Sequence, residues 1–245
     1  MKDFYLSQAL FRTQEILDNF TNERSMLVKL KALMENGRIK KIKNGLYSTV
    51  NSLTGDIFAR RFEIASALFE NACVAYHSAL EFHGLENQMF SEVQVFTEKR
   101  YNPFMYNGLE YKFFSYTAKG GIICLEQNAK IVVADLERIV VDCIDRINIA
   151  GGLEELVTAL NGITHLDEQA LLSYLKDYNK KFFYKKAGFL LSLLKKDLLS
   201  QNFFDICKQN CSLKLEDISE NKKMPKKTDK YWGLIYPEKI INTEN

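Results

Sequence analysis

TNERSMLVKLKALMENGRIKKIKNGLYSTV, residues 21–50, reads as one helix running into a small basic hairpin. Asn22 is placed to cap a helix start, with Glu23 and Arg24 in the first turn. Met26, Leu27, Leu30, Leu33 and Met34 recur at helical spacing and predict one apolar stripe. Asn36-Gly37 predicts the stop, because glycine takes the left-handed C′ position that other residues resist. Ile39 and Ile42 then mark a strand, Asn44-Gly45 a turn, and Leu46 to Val50 the returning strand. Asn-Gly between two such runs predicts a type I′ turn, with positive φ at both residues. A helix followed by a two-stranded wing is the second half of a winged helix-turn-helix.

Charge supports that reading. From Arg24 to Lys43 the cations are Arg24, Lys29, Lys31, Arg38, Lys40, Lys41 and Lys43, and the anion is Glu35. Seven against one leaves a local net of +6, whereas the whole chain carries +2. A basic cluster on a nearly neutral chain is an electrostatic footprint for a polyanion. The plainer alternative is that these side chains solvate an exposed helix and hairpin.

Working back toward the N-terminus, residues 3–11 carry Phe4, Leu6, Leu10 and Phe11 and predict a first helix. Thr13 reads as the cap of a short second helix ending at Asn19 or Phe20. The order is helix, helix, turn, helix, wing, in which the last helix enters the major groove. The expected DNA-binding residues are Arg24, Ser25, Lys29 and Lys31 on that helix. Arg38, Lys40, Lys41, Lys43 and Asn44 follow along the wing.

Working forward, residues 56–70 predict a mostly buried helix, Cys73 to Tyr76 a short strand, and His77 to Leu85 a short helix ended by Gly84. Strands are expected over 92–98, 109–116, 122–125 and 130–134, followed by a helix from Asp135 to Ile144. From Gly151 the pattern becomes helical, with helices over 153–160, 167–178, 182–194 and 198–208. Residues 221–230 read as a polar loop or arm, and Tyr231 to Ile235 as a last strand docked by Trp232. The fold class is therefore α+β: an N-terminal winged helix-turn-helix over 1–52, a small mixed sheet domain over 53–150, and a helical part over 151–245 packed on it.

The 245 residues suffice for a sizeable core and several modules. The opening residues lack a signal-peptide apolar core, and no run of about 18 apolar residues predicts a membrane span. Five scattered cysteines, with no CxxC pair, suggest reduced thiols and a cytoplasmic protein. His77 and His83 lie six apart and face different sides of one helix, so no metal is expected. Asp135, Glu137, Asp142 and Asp145 alternate with Arg138 and Arg146, which reads as solvated helix charge in Asp135–Arg138 and Asp142–Arg146 pairs. Lys180, Lys181, Lys185, Lys186, Lys195 and Lys196 form a second basic edge, which either extends the nucleic-acid surface or solvates helices. GxGxxG, P-loop, GxSxG and HExxH motifs are absent, so neither catalytic residues nor a cofactor are expected. Tyr101, Tyr106, Phe113 and Phe114 on the strands and loops admit an RNA platform, but core packing explains them more simply.

One series of motifs resembles a known family. KNGLYS (Lys43 to Ser48), AYHSALEFHGL (Ala75 to Leu85), VQVFTEKR (Val93 to Arg100), ADLERIVVDCI (Ala134 to Ile144) and Lys186-Ala187-Gly188-Phe189-Leu190-Leu191 follow one another as in the AbiEi-type antitoxins of type IV toxin–antitoxin systems. The resemblance runs from about Thr13 to about Leu194. It implies a bacterial autorepressor whose winged helix binds operator DNA. It also implies a C-terminal domain that counteracts a neighbouring nucleotidyltransferase toxin without forming a stable complex with it. The motifs after Ala75 would then determine the fold. The alternative is a DNA-binding regulator whose C-terminal domain senses a small molecule or carries an unrecognised enzymatic activity.

Overall fold

The computed structural model describes residues 4–116, 120–126, 129–219 and 223–241, and the fold is mixed α+β. It opens with a 3-10 turn at Phe4–Ser7 and a strand β1 (Leu10–Arg12), where the sequence periodicity predicts one helix. Tertiary pairing decides this: Leu10, Phe11 and Arg12 lie opposite Ser48, Tyr47 and Leu46, and the strand places Phe11 in the core. A short helix α1 (Thr13–Ile16) and a 3-10 turn (Leu17–Asn19) follow, with Arg12 rather than Thr13 in the cap position. Next come α2 (Glu23–Glu35), β2 (Ile39–Lys43) and β3 (Leu46–Thr49). The three strands make one antiparallel sheet in the order β1-β3-β2.

Both ends of α2 form as the sequence dictates. The Asn22 carboxamide oxygen accepts from the Ser25 amide at 2.9 Å, and the Ser25 hydroxyl donates to the Asn22 carbonyl at 2.8 Å. At the far end Gly37 takes φ +67°, and the Arg38 amide closes back on the Leu33 carbonyl at 2.9 Å. The buried face is Met26, Leu30 and Leu33, packed with Tyr5, Phe11, Ile16, Ile39 and Tyr47. Leu27, expected in that stripe, lies outside it.

After a bridge between Val50 and Ile57, the chain forms a helix α3 restricted to Arg61–Ala67. The helix predicted from residue 56 is shorter because the Phe58 amide bonds the Thr49 carbonyl, which holds that segment extended. The remaining elements before residue 135 are β4 (Cys73–Val74), α4 (Tyr76–Phe82), β5 (Glu92–Thr97), β6 (Phe104–Tyr106), β7 (Leu109–Ser115), β8 (Ile122–Glu126) and β9 (Lys130–Ala134). The six strands form one mixed sheet in the order β6-β7-β5-β4-β9-β8.

The last part comprises α5 (Leu136–Asp145), α6 (Leu153–Gly162), α7 (Glu168–Tyr178), α8 (Lys181–Leu194) and α9 (Gln201–Asn210). Short strands β10 (Glu216–Asp217), β11 (Lys226–Asp229) and β12 (Leu234–Pro237) follow, and then a 3-10 turn at Glu238–Ile241. β12 is central, parallel to β10 and antiparallel to β11. Of the loop expected over 221–230, Asn221 and Lys222 lie outside the described residues, and 226–229 is strand. α5 packs against α4, α6, α7 and α8. Trp232 docks on α8 at Gly188, where a Cβ would stand 2.2 Å from the indole, and its ring nitrogen donates to Ser192.

Internal contacts divide the chain into two compact units built from separated segments. The first holds Met1–Val74, Ser91–Ser115 and Ile123–Val133, and the second Ala75–Phe90, Tyr116–Ile122 and Ala134–Asn245. The composition shift at Gly151-Gly152 falls inside the second unit.

Candidate nucleic-acid interface

The basic helix and hairpin stand on one small core, and a bulge sets how the hairpin displays its charge. The β2 register shifts between Lys41 and Lys43. Ile39 and Ile42, three residues apart, therefore both point inward while Lys40 and Lys41 between them are exposed. The turn is closed by Gly45 at φ +79°, and a Cβ there would stand 3.3 Å from the Thr13 hydroxyl. Asn44 is not among the residues with positive φ, so this is not the type I′ turn that Asn-Gly suggests. That turn is found instead at Asn107-Gly108, with φ of +49° and +78°, between β6 and β7.

The nine expected contact residues fall into three groups. Arg24, Arg38, Lys41 and Asn44 are exposed. So is Lys31, whose ammonium is 3.9 Å from Glu35 across one turn, a weak surface pair. Lys29 is half-buried. The last three bond to the chain itself, Lys40 while remaining exposed. Ser25 completes the helix cap, and Lys40 donates to the Gly55 carbonyl at 2.7 Å. Lys43 donates to the Leu68 carbonyl at 2.6 Å and sits 3.6 Å over the Phe69 ring. Burial, and then the nearby Arg12 guanidinium, lower the Lys43 pKa. Arg12 itself is turned inward, donating to the Ala67 and Phe69 carbonyls.

Two residues on α2 that the periodicity did not single out for the surface are exposed and apolar: Leu27 at 48% and Val28 at 64%. With Arg24 and Lys31 they occupy spacing i, i+3, i+4, i+7 and so share one helix face. An angular count would have found Val28, which lies about 200° around the helix from buried Met26.

Elsewhere in the first unit, Tyr101 stacks on Phe69 with centroids 3.5 Å apart, and Phe113 packs edge-on against Phe69. A cavity of about 390 Å³ is lined by Lys40, Asp56, Arg61, Tyr106, Asn107 and Tyr111, among others. The Tyr111 hydroxyl is buried without a hydrogen-bond partner among the described residues, and burial pushes its pKa up.

In the second unit two of the charges read as solvated, Arg138 and Asp142, prove to be internal, while Arg146 is exposed. Arg138 and Asp142 on α5 are fully buried and pair with each other at 3.3 Å, in place of the expected Asp135–Arg138 and Asp142–Arg146 pairs. Asp135 instead caps the helix, accepting from the Arg138 amide. Tyr178 donates to Asp142, whose carboxyl burial raises to about 6 against the opposing pull of Arg138. His77 meets Glu155 at 3.1 Å and stacks on Phe90, while Glu155 also accepts from the Asn87 and Gln88 amides. His83 meets the Ala134 carbonyl at 3.1 Å. His77 thus ties α4 to α6 and His83 ties the end of α4 to Ala134, and among the described residues no cluster of three His, Cys, Asp or Glu is placed to hold a metal. Among the same residues no helix is long and apolar enough to cross a membrane.

No protein-family model matches the chain, and no curated protein matches it. Its fold is similar to the crystal structure of the RV2827C protein from Mycobacterium tuberculosis. The TM-score is 0.62 at 11% identity, over 93% of this chain and 86% of that one. At that identity the likeness concerns fold alone.

Proposed function

We propose that residues 1–52 form a winged helix-turn-helix that binds double-stranded operator DNA, and that the chain is a transcriptional autorepressor. The observation that carries this is the strand order β1-β3-β2 around a capped α2, with exposed Arg24, Lys31, Arg38 and Lys41 on helix and hairpin. In that arrangement α2 is the recognition helix and the β2–β3 turn is the wing. Lys40 and Lys43 then shape the wing more than they contact phosphate. The motif series extends the proposal to an AbiEi-type antitoxin, with the C-terminal part counteracting a neighbouring nucleotidyltransferase toxin without a stable complex.

Anisotropy titration of the full chain against the DNA upstream of its own gene, with scrambled duplex as competitor at about 150 mM salt, tests the first part. Binding that survives competition supports it, and equal binding to both duplexes overturns it. Co-expression with the adjacent gene tests the second, and growth arrest that this chain fails to relieve would sink the antitoxin role.

A second reading is favoured by one feature. The cavity beside Lys40 and Tyr111 has the size of a small-ligand site, and its walls include a wing residue. A ligand there would act on DNA affinity through the hairpin. Invariant DNA affinity across a panel of small anions would argue against it.

A further inference from the structure

The exposed face of α2 poses a chemical question that phosphate binding does not answer. Its middle is apolar: Val28 is the most exposed large hydrophobic side chain of α2, and Leu27 stands beside it. Neither belongs to the core of Met26, Leu30 and Leu33. Arg24 lies one turn before this pair and Lys31 one turn after, both exposed. The helix's carboxylates are at its ends, Glu23 in the first turn and Glu35 in the last, the latter beside Lys31. The face is thus a short apolar step between two cations.

Two occupants compete for such a face. A second copy of the chain would bring its own Arg24 and Lys31 against these, opposing like charges. Two side chains also fall far short of the roughly 800 Å² per partner that stable association needs. A polyanion with apolar groups between its charges matches both features. The major groove of DNA is such a surface: phosphates line its edges, and its floor carries the 5-methyl group of thymine, the one apolar mark among the base edges.

We propose that Leu27 and Val28 read thymine methyl groups in the major groove, with Arg24 and Lys31 engaging guanine or phosphate on either side. The duplex that this chain selects then carries thymine at the one or two positions beneath these side chains. This rests on the reading of residues 1–52 as a DNA-binding module, and it names what part of the recognition helix reads.

The test uses the full chain. A duplex is selected from a random library, then resynthesised with deoxyuridine replacing thymine one position at a time, which removes only the methyl group. Affinity is expected to fall about fourfold per methyl lost at one or two positions. In a Leu27→Ala, Val28→Ala double variant the thymine and uracil duplexes are expected to bind alike. Both residues are exposed, so the variant's melting temperature should match the parent's. If a duplex is enriched but uracil costs nothing, or costs the variant as much as the parent, the proposal is wrong while DNA binding stands. If no duplex is enriched, the DNA-binding reading fails and takes this proposal with it.

Discussion

Lysine plays opposite parts on α2 with its hairpin and on α8. Lys31 and Lys41 in the first region are exposed. Lys185 and Lys186 on α8 are buried, although they sit in a run just as basic. Lys185 reaches Glu216 at 2.8 Å and donates to the Lys214 and Gly233 carbonyls, so it ties α8 to the chain around β10 and β12. Lys186 donates to the Asp145 carbonyl at 2.6 Å, and burial lowers its pKa to about 8. Lys43 stands between these extremes, on the hairpin but bonded inward. A count of cations therefore measures a possible binding surface only after the internal braces are subtracted.

Lys185→Ala should have the largest effect. It removes the buried donor of an ion pair and strands two carbonyls, at a cost of about 3 kcal/mol, or roughly 6–12 °C in melting temperature. The Glu216 partner adds a pH signature. Burial alone would raise its carboxyl, but the Lys185 and Ser212 hydrogen bonds outweigh that and hold it below its ordinary value. Its contribution is present above the unfolded carboxylate pKa and is lost as pH falls through the lower folded one. The variant's stability should fall less steeply across that acid window. Equal slopes in parent and variant would mean that the pair does not form.

Lys43→Met should cost less, about 1–2 kcal/mol for the Leu68 carbonyl left without its donor. DNA affinity and its salt dependence should stay near those of the parent. A lowered salt slope with an unchanged melting temperature would move Lys43 to the DNA side of the comparison.

Lys41→Ala is expected to change stability by less than about 0.5 kcal/mol. On the proposed DNA-binding reading it should reduce the salt slope by up to about 0.9, the share of one phosphate contact. A large loss of stability would place it with the α8 lysines.

Local chemistry was legible wherever it was sufficient. Asn22 and Gly37 bound α2 because a cap oxygen and a residue without Cβ solve the end of a helix without help from the rest of the chain. The helices after Gly151 were equally readable from their apolar period, within a few residues. Residues 3–11 were not, since Leu10–Arg12 became strand only by pairing with β3. Arg138 and Asp142 looked like surface charge because their spacing describes one helix, not the packing of α4, α6, α7 and α8 around it. The same limit applies to the candidate interface. The sequence alone determined that a capped helix leads into a strongly basic Asn-Gly hairpin, because caps, turns and net charge are local properties. Only the tertiary structure decided which cations remain outside and that Leu27 joins them, because burial depends on residues distant in sequence.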